Sequence, residues 1–300
     1  MVCAGQLYGS AEAPQDSDEI GNVLPIATAA PTPRPSPPAL SVLPRGGRII
    51  FPKFRVVAFY GAADTPALGV LGEGSPDRQA LRLAKQANAY VGLGRPILPA
   101  FELITVEASY ASGDGTYSMS SGDETVARYL AAARRAKVLL VLDIQPGRGE
   151  FLPRVKRYAR FLAQPDVGLA LDPEWKMGPD QIPAKVLGHT DAAAINEVSA
   201  YLAGIVKRHH LPQKLLIIHQ FTPYMVLNKS LIVHRPGVAI TFHIDGFGSR
   251  AVKLAVYHSL CKSSVHYFTG IKLFYEQDID IFSAREVVSL KPSPDLITYQ

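Results

Sequence analysis

"KVLLVLDIQPGRGEFLPRVKRYARFLAQPDVGLALDPEW", Lys137 to Trp175, holds two short apolar runs separated by one stretch of helical periodicity. The runs, 137 to 145 and 167 to 175, are continuous rather than alternating, the pattern of parallel strands covered on both faces. Between them "GEFLPRVKRYARFLAQ" spaces its apolar residues along one face of a helix. Strand, helix and second strand make a parallel crossover unit.

The unit recurs in both directions. Further strand-like runs are "RVVAFYG" (55 to 61), "RPILPAFELITV" (95 to 106), "KLLIIHQF" (214 to 221), "VAITFHIDGFG" (238 to 248), "GIKLFYEQ" (270 to 277) and "DLITYQ" (295 to 300). Helical patterns fall between them: "SPDRQALRLAKQANAYVGLG" opens on Ser-Pro and closes on Gly, as helix ends prefer. "GDETVARYLAAARRAK", "DAAAINEVSAYLAGIVKRHH", "GSRAVKLAVYHSLCKS" and "SAREVVSL" read similarly. Strand and helix alternating over about 250 residues predict an α/β fold, a single (β/α)8 TIM barrel. An open doubly wound sheet is the alternative, but "FYGAADTPALG" after the first run lacks the G-x-G-x-x-G turn of its dinucleotide-binding members.

Composition agrees with one large globular domain: 300 residues, 47% hydrophobic and 19% charged. The formal charge of +5 is small for this length, so no nucleic-acid partner is expected. Cys3 and Cys261 make neither a disulfide framework nor a metal-ligand spacing. Residues 1–48 read as a disordered tail or linker, because "NVLPIATAAPTPRPSPPALSVLP" (22 to 44) favours extended, solvated backbone; residues 49–300 read as the barrel. No run suits a signal peptide or a membrane span. A stalk of this kind suggests a secreted or cell-envelope location, with a lipid anchor at Cys3 as one route to it.

The barrel reading turns a row of polar residues into a candidate site. Alternate residues of a strand share a face, so Gly168, Ala170, Asp172 and Glu174 would line one side of the fourth strand, the last two with Cα atoms roughly 6.6 Å apart. Glu102, Asp143, His219 with Gln220, His243 with Asp245, and Lys272 with Glu276 end or approach the ends of other runs. Active sites of such barrels gather at the C-terminal ends of the strands. One acid at a strand end reads first as a cap or an ion-pair partner; acids on five strands are harder to explain that way.

Carboxylates with aromatic neighbours suit glycoside cleavage, which needs one protonated acid and one negative group beside an oxocarbenium-like centre. Glu174 is the expected general acid, raised in pKa by Asp172 and the apolar wall of Trp175. Asp143, Asp245 and Glu276 are alternatives for its partner. Glu102, Tyr60, Trp175, His219, Gln220, His243, Lys272 and Tyr275 are expected to bind substrate. The expected partner is a polysaccharide or oligosaccharide substrate met by a monomer, with no cofactor.

At "LDPEW" the chain resembles the D-x-E arrangement of chitinase-type (family 18) and lysozyme-type (family 25) barrel glycosidases. The resemblance implies proton donation by Glu174 with Asp172 as its partner. Ala170 stands where the longer chitinase pattern has another aspartate. A second resemblance, to the retaining clan with acid on strand four and nucleophile on strand seven, implies Glu174 and Glu276, with Pro173 in place of that clan's usual asparagine. From about Arg55 the chain also resembles envelope-associated proteins of high-GC Gram-positive bacteria, which implies a location. Two rivals stay open. A metal-dependent hydrolase would use His219 and His243, but the first strand offers no H-x-H pair; a binding barrel would grip a polysaccharide without cutting it.

Overall fold

A computed structural model describes residues 40–262 and 266–300. Eight parallel strands form its barrel: β1 Arg55–Ala62, β2 Ile97–Ala108, β3 Leu139–Ile144, β4 Val167–Leu171, β5 Lys214–Gln220, β6 Val238–Ile244, β7 Phe268–Leu273 and β8 Leu296–Tyr299. Each pairs in parallel with the next, and β8 pairs with β1 through Val56 opposite Leu296, so the sheet closes. The expected (β/α)8 barrel is the observed fold.

The helices are α1 Pro76–Asn88, α2 Asp123–Ala136, α3 Phe151–Arg157, α4 Ala159–Leu162, α5 Ala192–Arg208, α6 Arg250–Lys262 and α7 Ala284–Ser289. Ser75 caps α1 by accepting the Arg78 N–H, with Pro76 at the first helical position, as the Ser-Pro signal predicts. One helical expectation changes. The helix between β3 and β4 breaks at Tyr158, whose hydroxyl donates to the Thr105 and Ser121 carbonyls. Between β5 and β6, where the sequence shows no helical pattern, the chain makes two 3-10 turns, Pro223–Met225 and Lys229–Leu231.

Strand alternation divides the core. Outward residues such as Val57, Phe59, Leu140, Leu142, Leu216 and Ile218 cluster with helical Leu83, Val126, Val155 and Leu202. Inward residues at the N-terminal end of the strands, among them Val56, Ala58, Leu98, Val141, Ala170 and Ile217, cluster with Leu43, Ile50, Phe51 and Phe54. Residues just before β1 therefore plug the bottom of the barrel. Gln213 holds the plug by accepting the Ile50 and Phe51 N–H groups, at 2.7 and 3.0 Å. Cys3 and most of the proline-rich segment lie outside the described residues. Among the described residues no helix is long and apolar enough to cross a membrane.

Several strand ends differ from the expected ones and bear on the site. β4 stops at Leu171 because Pro173 brings no N–H to a ladder and Asp172 accepts the Glu174 N–H, turning the chain into a 3-10 turn, Pro173–Trp175. β7 stops at Leu273, before Tyr275 and Glu276. β2 runs on to Ala108, extended by a short antiparallel strand, Ser118–Ser120, paired with Val106–Ala108. Glu102 therefore lies mid-strand, opposite Tyr60 and Val141, deep in the barrel rather than at its mouth.

Candidate functional site

Above the apolar floor the inward positions become polar: Tyr60 on β1, Glu102 on β2, Asp143 on β3, His219 on β5, His243 on β6, Lys272 on β7 and Thr298 on β8, with Asp172 and Asp245 following β4 and β6. Register sets Tyr60 beside Glu102, His219 beside His243 and Lys272 beside Thr298. Every one of these groups is buried.

Hydrogen bonds order most of them. The Tyr60 hydroxyl donates to Asp143 Oδ2 at 2.8 Å and accepts from the Gln145 amide at 3.2 Å. Thr298 donates to Glu102 Oε2 at 3.0 Å. His219 bridges two acids, with Nε2 3.0 Å from Glu102 Oε1 and Nδ1 2.9 Å from Asp245 Oδ2. The Lys272 ammonium lies over the Tyr60 ring, 3.5 Å from its centre. Asp143 Oδ1, Asp245 Oδ1 and both ring nitrogens of His243 are buried with no hydrogen-bond partner among the described residues.

A cavity of about 210 Å³ opens above this layer. Asp172, Glu174, Asp245, Lys272 and Gln145 line it, with Tyr60, Trp175, Phe221, Phe247 and Phe274 as aromatic walls. Glu174 reaches it from the 3-10 turn, not from a strand. That turn is pinned from behind: Gly188 donates its N–H to the Glu174 carbonyl at 2.7 Å, and a Cβ there would meet that oxygen at 2.6 Å. The segment following the turn can close on it only because residue 188 is glycine.

Burial, and then the charge of Asp245, raises the Glu174 pKa to about 7. Asp172 is held well above the usual carboxylate range by burial and by Asp143, Glu174 and Asp245, against the pull of His219. Burial also raises Asp143. Glu102 goes the other way: burial opposes its charge, but its bond to His219 and the nearby positive groups bring it to about 2. His219 is raised well above its ordinary value, burial being outweighed by Asp172, Asp245 and Glu102. His243, with burial dominant, falls to about 3 and is neutral.

Several candidate residues lie elsewhere. Glu276 is exposed and lines a neighbouring groove with Tyr275, Glu73 and Gln277. Tyr275 stacks on Tyr299 and donates to Gln86. Gln220 follows His219 and so faces away from the barrel interior, where its amide donates to the Thr222 carbonyl and its oxygen accepts from Lys229. Conversely, Phe221 and Glu107 line the cavity without having been anticipated. The extension of β2 carries Glu107, and only the hairpin pairing reveals that extension.

No family model matches the chain, and no curated protein matches it. Two solved structures are similar in fold. The Clostridial cellulose synthase subunit Z of Clostridioides difficile is 11% identical with a TM-score of 0.42, covering 82% of this chain and 91% of its own. The spore coat polysaccharide biosynthesis protein SpsE of Bacillus subtilis is 11% identical with a TM-score of 0.41, covering 82% of this chain; this chain spans 59% of its length.

Proposed function

We propose that the barrel is a glycoside hydrolase acting on an extracellular or cell-envelope polysaccharide, with Glu174 as general acid. The observation that carries this reading is the pairing of two unlike carboxyl groups in one aromatic-walled cavity. Glu174, its pKa near neutrality, keeps a proton to give to the glycosidic oxygen. Asp245 has one oxygen tied to His219 and the other buried without a partner among the described residues, a negative group placed to stabilise or trap the oxocarbenium-like carbon. Asp172 holds the Glu174 turn through the backbone N–H and supplies a second buried acid beside it. Trp175 and the phenylalanines offer flat apolar faces to a pyranose ring.

Between the three acids considered as partner for Glu174, this reading favours Asp245. Asp245 lines the cavity, whereas Asp143 is not among its lining residues and Glu276 lines a separate groove. The test is to incubate the full chain and its Glu174→Gln variant with chitooligosaccharides, peptidoglycan, arabinan, galactan and mannan, reading new reducing ends by mass spectrometry. Product from the wild type alone supports the reading. Equal product from both removes Glu174 from the acid role. Binding without product from either makes the protein a carbohydrate-binding barrel.

A further inference from the structure

We propose that Glu102, His219 and His243 form a binding site for one divalent transition-metal ion of the zinc type, directly beneath the cavity. One ligand atom from each lies within 4.8 Å of the others, a spread that a single ion at ordinary bond lengths of about 2.0–2.2 Å can span with small side-chain adjustments. All three residues are fully buried, on strands that leave them little freedom.

The independent observation is His243. Its ring is buried, and neither nitrogen meets a donor or acceptor among the described residues. A buried imidazole without partners has given up its hydrogen bonds to water with nothing in return. The neighbouring strand makes room for it: a Cβ on Gly270 would meet His243 Cδ2 at 2.7 Å, so glycine is what admits the ring at this position.

The surroundings have the form that metal ligands require. Asp245 lies on His219 Nδ1, leaving Nε2 to face Glu102, and a carboxylate behind a ligating histidine fixes its ring and raises its basicity. Thr298 holds Glu102 Oε2, leaving Oε1 on the His219 side. Two imidazoles and one carboxylate are a borderline set, better suited to zinc, manganese, iron(II) or cobalt than to magnesium or calcium. A second trio, Asp143, Asp172 and His219, is equally compact but shares His219 and leaves His243 unpartnered. Asp245 both touches His219 and lines the cavity, so the ion would reach its site through the barrel mouth.

The experiment strips the full-length chain with a chelator and titrates it with Zn²⁺ by calorimetry, in parallel with Glu102→Gln, His243→Gln and Glu174→Gln. One tight equivalent per chain is expected for the wild type and for Glu174→Gln, with at least about 10–100-fold weaker binding when a ligand is replaced. Retention of the equivalent by Glu174→Gln separates this inference from the hydrolase reading, since neither result depends on turnover. Proton NMR of the Co²⁺-loaded wild type supplies a readout that needs no variant to fold. Paramagnetically shifted imidazole signals from two histidines support the site. Absence of those signals, less than one tight equivalent, or ligand variants that fold and bind like the wild type would overturn it.

Discussion

His219 Nδ1 lies 2.9 Å from Asp245 Oδ2, with both side chains buried. This contact joins the deep polar layer of the barrel to the wall of the mouth cavity, because Asp245 belongs to both. It also leaves Asp245 one oxygen for other chemistry, and that division of labour shapes the expected behaviour of the variants.

Glu174→Gln should lower turnover by about 10²–10⁴-fold, the usual contribution of a positioned proton donor, while leaving oligosaccharide binding close to wild type. Parallel measurement of reducing-end release and of binding by calorimetry checks both halves. Asp245→Asn should lower turnover comparably, whereas Glu276→Gln, on the exposed neighbouring groove, should leave it unchanged.

Catalysis should weaken as pH rises through about 7, because Glu174 must be protonated to act. The kcat/KM profile of the wild type should show this descending limb, read with a substrate whose leaving group needs protonation.

The same raised pKa has a stability consequence of definite sign. The folded state binds the Glu174 proton more tightly than the unfolded chain, so the contribution of this group to wild-type stability declines from about pH 4.5 to about 7 and is flat above. Glu174→Gln lacks this decline. Its Tm advantage over wild type should therefore grow across that window and level off above it, at roughly 2–4 °C for each kcal/mol relieved. Melting curves of both proteins between pH 4 and 8.5 measure the difference.

Gly270→Ala should cost about 1–3 kcal/mol, since the added methyl would sit 2.7 Å from His243 and 3.2 Å from Leu296 with no open side to move into. Denaturant unfolding gives the cost directly. The His243 ring resonances should shift in the folded variant.

Phe51→Ala should destabilise the barrel by about 3–5 kcal/mol, the range for emptying a buried aromatic site. Phe51 is buried against Phe268 and the barrel floor, although it precedes the first strand. A chain beginning at residue 55 should accordingly unfold at lower denaturant than one beginning at residue 40.

The sequence by itself determined the barrel. All eight apolar runs became its strands, because continuous β-branched and apolar residues can be satisfied only by cover on both faces. It also determined which side chains enter: period-two alternation sends Tyr60, Asp143, His219 and His243 inward whatever the neighbouring strands contribute. Tertiary structure alone decided depth and company. Glu102 reads as a strand-end acid until the hairpin lengthens β2 and places it below the mouth. Lys272 and Glu276 read as one face until β7 ends at Leu273 and the turn sends Glu276 outward. Glu102, His219 and His243 are separated along the chain by whole crossover units, and no spacing rule connects them. They meet because barrel closure and stagger set the height of each strand relative to its neighbours, and that height is a property of all eight strands together.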